Sequence, residues 1–168
     1  IGDITSKFTG SFEGLGHTIN HLSINRSSSD NQGLFGVILG STIKNVGLTS
    51  VTVSGKISVG GLIGYAIFPT PSVVQYTYVT GSISGTMHNV GGLVGNSSYM
   101  KLSNSYSTAN VTGSSNVGGL VGQFVNGTIS NSYAAGQVSG GSSIGGFAGV
   151  FNSVTATNTY ATGQVTGT

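Results

Sequence analysis

A short glycine-rich string recurs through this chain as GGLIG (60–64), GGLVG (91–95), GGLVG (118–122) and GGFAG (145–149), after a degenerate copy, QGLFG, at 32–36. The copies start 28, 31, 27 and 27 residues apart. Self-similarity at such a period marks a repeat architecture, and it constrains the fold before composition or propensity is considered. A second signature keeps the same register: YVTGSISG from Tyr78, YSTANVTG from Tyr106, YAAGQVSG from Tyr133 and YATGQVTG from Tyr160. Two residues before three of these tyrosines stand Asn104, Asn131 and Asn158.

A unit of about 27 residues, rich in Gly, Ser, Thr, Asn and Val, is a poor helix former, since each mid-helix glycine costs about 1 kcal/mol relative to alanine. Short alternating runs such as Ile129, Asn131 and Tyr133 against Ser130, Ser132 and Ala134 read as strands, with one Ser/Thr-rich face. One such unit cannot bury its own apolar face, but stacked units can pair each strand with its equivalent in the next. The expected fold is therefore all-β: a right-handed parallel β-helix of about six coils of about 27 residues. A propeller needs blades of about 40 residues, and a sandwich needs no strict register. Equivalent residues should form columns along the axis: Val53, Ile83, Val111, Val138 and Val165 as an aliphatic column, Tyr78, Tyr106, Tyr133 and Tyr160 as an aromatic one, and Asn104, Asn131 and Asn158 as an amide one. The glycines are expected at coil corners, where positive φ or close backbone approach is required.

Stacking also accounts for a composition in which only 5% of residues are charged, against roughly 25% in ordinary soluble domains. A charge inside the period would lie about 5 Å from its own copy in each neighbouring coil. Asp3, Lys7, Glu13, Arg26, Asp30, Lys44, Lys56 and Lys101 are the whole set, and no residue after Lys101 is charged. Five scattered Lys and Arg make no basic stripe for nucleic acid. No apolar run reaches the roughly 18 residues of a membrane span, so membrane insertion is not expected. With no cysteine there are neither disulfides nor thiolate metal sites.

Residues 1–31 share the strand-and-glycine texture but lack both signatures, as an atypical first coil or cap would. Phe8, Phe12, Ile19, Leu22 and Ile24 would supply its apolar side, and Gly10, Gly14 and Gly16 its turns. The repeat units then run over 32–59, 60–90, 91–117, 118–144 and 145–168. The chain opens on Ile1 without a leader and ends on Thr168 within a unit, which reads as a piece of a longer protein.

FTGSFEGLGHTINHLSIN, then QGLFG, then VGGLVG copies followed by NSYAAGQVSG, together resemble the GLUG-motif repeat segments of large bacterial surface proteins. The likeness is to filamentous-haemagglutinin-type adhesins exported by two-partner secretion, with related segments in bacterial immunoglobulin A peptidases. It implies a β-helical stalk at the cell surface or in the secreted fraction, and an outer-membrane transporter as partner during export. The chain departs from this pattern at 57–71, where the repeat lengthens and YAIFPTPSVVQYTY (65–78) replaces a polar turn.

Catalysis on β-helices needs several carboxylates converging on a groove, and here Asp3, Glu13 and Asp30 all precede the regular coils. His17 and His21 are four apart, which on a strand places them about 13 Å from each other, too far for one metal. The glycine strings lack the GK[ST] of a phosphate loop. No catalytic, cofactor-binding or metal residue is therefore assigned. Sequons at Asn25, Asn96, Asn110 and Asn126 are no more than a Ser/Thr-rich chain contains by chance. The candidate contact residues are Tyr65, Ile67, Phe68, Pro69, Pro71 and Val73, an apolar loop on a Ser/Thr surface, although folding back onto the coil is the commoner fate of such residues. The expected function is a non-catalytic stalk or binding module of a bacterial adhesin, with a host-cell receptor or glycan as partner. The alternative is an accessory repeat domain of an extracellular peptidase such as an immunoglobulin A protease. Ice binding by a flat face of Ser103/Ser105, Ser130/Ser132 and Thr157/Thr159 is a third, weaker reading, because ranks of Thr-x-Thr are missing.

Overall fold

The computed structural model describes residues 1–167; Thr168, the last residue of unit 145–168, lies outside the described residues. Among the described residues there is no helix, and the strands wind into a parallel β-solenoid of about six turns, about 28 residues per turn. Each strand pairs in parallel with its equivalent one repeat away: Val59 with Val90, Val111 with Val138, and Val121 with Ala148. The longest, Thr42–Gly55, Ser72–Gly85, Val121–Ala134 and Ala148–Ala161, are each 14 residues long. Such lengths persist because the chain bends without leaving the hydrogen-bond ladder.

The bends are made by left-handed residues, and these are mostly not glycines. One column of positive-φ residues runs through Asn31, Ser58, Asn89, Asn116 and Ser143, and another through Asn45, Tyr76, Asn104, Asn131 and Asn158. Asparagine tolerates this conformation better than other residues with a β-carbon. Its amide then adds a bond along the axis: Asn116 Nδ2 donates to Asn89 Oδ1 at 2.8 Å, and Asn158 Nδ2 to Asn131 Oδ1 at 2.8 Å.

The glycines of the repeated string straddle the bends between strands, as expected, and of the two features expected of corner glycines they show close backbone approach. None has positive φ; all but Gly146 lie where two stretches of backbone touch. A β-carbon on Gly122 would sit 2.5 Å from the carbonyl carbon of Asn89 and 2.6 Å from the carbonyl oxygen of Gly95. Within the first coil Gly16 does turn with φ of 79°, whereas Gly14 is a contact glycine, pressed against Asn45 and Val46.

The interior is filled by columns. Val53, Ile83, Val111 and Val138 stack in register and are buried, Ile24 lies beneath them, and Val165 at the far end is exposed. Fully burying such a side chain contributes about 1.5–3 kcal/mol. Phe8 and Phe12 pack on Phe35, with ring centroids 5.0 and 5.4 Å away, and close one end of this core. Phe12, Ile19 and Ile24 pair in register with Ile43, Leu48 and Val53, so the residues that lack the signatures still wind as a coil.

Candidate functional site

Three tyrosine contacts define the most regular surface feature. Tyr78, Tyr106, Tyr133 and Tyr160 stack with centroids 4.9, 4.8 and 5.2 Å apart and planes within 5°. The spacing is that of neighbouring β-strands, so both faces of the Tyr106 and Tyr133 rings are covered by their neighbours. The stack stops below Tyr78 because Gly47 occupies the next position, with the Tyr78 ring lying over it. Burial of the phenol, and then the proximity of Tyr133 and Tyr78, pushes the Tyr106 pKa up.

The hydroxyl face expected from Ser103/Ser105, Ser130/Ser132 and Thr157/Thr159 does not form as a face. Left-handed Asn104 and Asn131 reverse the alternation, so Ser105 and Ser132 turn into the core at 1% exposure while Ser103 and Ser130 stay outside. Inside, Ser105 Oγ donates to the Ser103 carbonyl at 2.8 Å and accepts from the Thr77 amide at 3.2 Å; Ser132 repeats the first bond at 2.7 Å. The same reversal separates Ile129, which is buried, from Asn131, which is exposed. These serines satisfy the backbone at a bend and are not a ligand surface.

Two of the three acidic residues are also engaged. Glu13 accepts from Asn45 Nδ2 at 2.9 Å and pairs with Lys44 at 3.2 Å, and these contacts, the Asn45 bond foremost, hold its carboxyl below the usual range. Asp3 is lowered by the Thr5 hydroxyl and by the amides of Ser6 and Thr5. Among the described residues no three His, Cys, Asp or Glu are grouped to hold a metal. His17 and His21 flank the three-residue strand Thr18–Asn20. A cavity of about 850 Å³ opens at the N-terminal end, bounded by Ile1, Ile4, Leu22, Ile24 and Leu34. Asn25, Asn110 and Asn126 are exposed and Asn96 is half-buried.

The irregular loop is a three-residue insertion. Ile38 pairs with Ala66 and Thr42 with Val73, so three residues in one coil face six in the next. Tyr65 lies in the strand Ile63–Ala66 with its hydroxyl 2.9 Å from Ser98 Oγ, and Val73 lies in Ser72–Gly85 beside Thr42 and Lys101. Ile67 and Pro71 are half-buried, while Phe68 (65% exposed) and Pro69 project outward. The Phe68 ring stands 6.2 Å from that of Tyr99. Of the six loop residues, the structure thus leaves Phe68 and Pro69 outermost and adds two aromatics that the sequence reading did not single out. Tyr99 is the ring neighbour of Phe68, and Tyr76, 55% exposed, takes a left-handed position filled by asparagine in Asn45, Asn104, Asn131 and Asn158. The second was detectable in the sequence as a break in the asparagine column.

A parallel β-solenoid with stacked side-chain columns is thus the class of this molecule. Two of its repeats match a known motif: the profile of the GLUG motif family matches residues 88–112 and 113–139. Halomucin of Haloquadratum walsbyi is 38% identical over 94 residues, which is 55% of this chain and 1% of halomucin. The crystal structure of a Bacteroides ovatus protein assigned as an immunoglobulin A1 protease superposes with a TM-score of 0.77 at 26% identity, covering 90% of this chain and 50% of that one. The chain therefore spans half of the solved relative and a small fraction of the curated one.

Proposed function

We propose that this chain is a rigid, non-catalytic stalk or binding module of a secreted or surface-exposed adhesin of the filamentous-haemagglutinin type, which spaces or mediates attachment to a host-cell receptor or glycan after two-partner export. The observation that carries the reading is the continuity of the columns. Tyrosines stack face to face, amides bond along the axis and aliphatic residues fill the interior through successive coils, so each repeat adds length without altering the cross-section. Six coils at about 4.8 Å give roughly 29 Å of stiff rod. The Asp3 and Glu13 carboxylates are held in local contacts of the first coil rather than arrayed along a groove.

The likeness to the Bacteroides ovatus protein favours a second reading, an accessory repeat domain of an extracellular peptidase. Antibodies against the purified chain, applied to intact and to permeabilised cells of the source organism, test both readings. Labelling of intact cells or of culture supernatant is expected; labelling only after permeabilisation refutes the location. Co-purification of the antigen with immunoglobulin-cleaving activity would select the second reading.

A further inference from the structure

Two departures from the repeat fall in one coil and bracket one stretch of strand. The three-residue insertion lifts Phe68 out beside Tyr99. Eight residues later, Tyr76 occupies a left-handed position, φ 53°, where the column otherwise holds asparagine. A bulky aromatic is disfavoured in that conformation, and the Tyr76 side chain, 55% exposed, makes no hydrogen bond or ring contact among the described residues that would offset it. Local strain carried by an exposed side chain points to a role outside the fold.

Between the two aromatic ends run residues 72–75, roughly 13 Å of extended chain. Ser72 and Val74 face inward, and Val73 and Gln75 face outward. On the coil above, Lys101 lies beside Val73, exposed and outside any ion pair among the described residues. On the coil below, Lys44 is neutralised by Glu13. The face therefore offers aromatic rings at both ends, a strand floor carrying the Gln75 amide, and in Lys101 one cation outside any ion pair among the described residues.

We propose that this face, from Phe68 and Tyr99 across Val73, Gln75 and Lys101 to Tyr76, binds an oligosaccharide. Sugars present apolar C–H faces to aromatic rings and hydroxyls to amides, and a linear chain suits two rings set apart on a floor without walls. The area, a few hundred Å², is below the roughly 800 Å² per partner of a stable protein interface. A single lysine is too little for nucleic acid, which is bound by a row of cations. Lys101 would take a carboxylate where the sugar carries one. The inference rests on the binding half of the proposed function and is independent of the spacing half.

The test is nuclear magnetic resonance titration of the isotopically labelled chain with cellohexaose, chitohexaose, xylohexaose and a galacturonate hexamer. At least one probe is expected to shift resonances of Phe68, Tyr76 and Tyr99 together, with affinity falling about tenfold or more in Phe68→Ala and in Tyr76→Asn. Tyr76→Asn restores the residue of the column and leaves the fold intact, so a loss of binding there is not a loss of structure. Lys101→Gln should weaken the galacturonate selectively. The proposal is overturned if no probe shifts these residues at millimolar concentration, or if binding survives in the Phe68→Ala/Tyr76→Asn double variant. Either outcome leaves the stalk reading standing, since that reading is tested by the location of the protein and by co-purification with immunoglobulin-cleaving activity.

Discussion

Replacing Gly122 with alanine tests the account of the glycine strings most directly. The added methyl would meet the Val90 amide nitrogen, the Asn89 carbonyl carbon at 2.5 Å and the Gly95 carbonyl oxygen at 2.6 Å. Ordinary contact begins at 3.4 Å, so against the last two atoms the methyl is 0.8–0.9 Å too close. All three are backbone atoms in strands or at a left-handed bend, so no side chain can rotate away. Relief requires neighbouring coils to part, which opposes their hydrogen bonds as well as the core packing. Overpacking of this kind costs about 3 kcal/mol, which for a chain of this length lowers Tm by roughly 6–12 °C. Gly146, within the last copy of the string, is the internal control. A methyl there would meet only the Ala161 β-carbon at 3.1 Å and a Val165 methyl at 3.4 Å. Both are side-chain atoms of the exposed final coil, and Gly146→Ala should stay within about 1 kcal/mol of the parent. Thermal and urea unfolding followed by far-ultraviolet circular dichroism give both values. Equal Tm values for the two variants would refute the argument that interior backbone contact selects these glycines.

Two titrations probe the columns and the first coil. Because the folded-state pKa of Tyr106 is raised, its contribution to stability is full below the ordinary tyrosine range and is lost as pH rises through the raised value. Absorbance at alkaline pH should show a late-ionising tyrosine that Tyr106→Phe removes; a variant with an unchanged titration curve would contradict the stacked burial. Glu13 has the opposite sign: its lowered pKa stabilises the fold above the ordinary glutamate range, and the contribution disappears as pH falls through the folded value. Glu13→Gln should flatten the acid limb of the stability curve, and a limb of unchanged slope would show that the contacts with Asn45 and Lys44 do not persist in solution.

Much of the architecture was legible because a solenoid writes its contacts into its period. The separations of 27 residues between tyrosines and between valines are the separations of residues that touch, so Tyr106 could be placed on Tyr133, and Val111 on Val138, from spacing alone. Within a coil the same reasoning failed at the bends. Strict alternation assigned Ser103 and Ser105 to one face, and a single left-handed residue, Asn104, put them on opposite sides. A period-2 pattern carries no mark of where a chain reverses its side-chain alternation.

The sequence by itself determined the repeat, its length, the identity of the columns and the scarcity of charge, because each follows from placing like residues about 4.8 Å apart. Tertiary structure decided which corner glycines serve close approach and which serve positive φ, since the distance from Gly122 to Asn89 depends on how the two arms of a bend close against the neighbouring coil. It also decided that the break in the repeat leaves Phe68 exposed beside Tyr99, and that this pair and Tyr76 lie at opposite ends of one short run of strand. Exposure and adjacency across coils depend on how an insertion is accommodated, and no periodicity describes residues that break it.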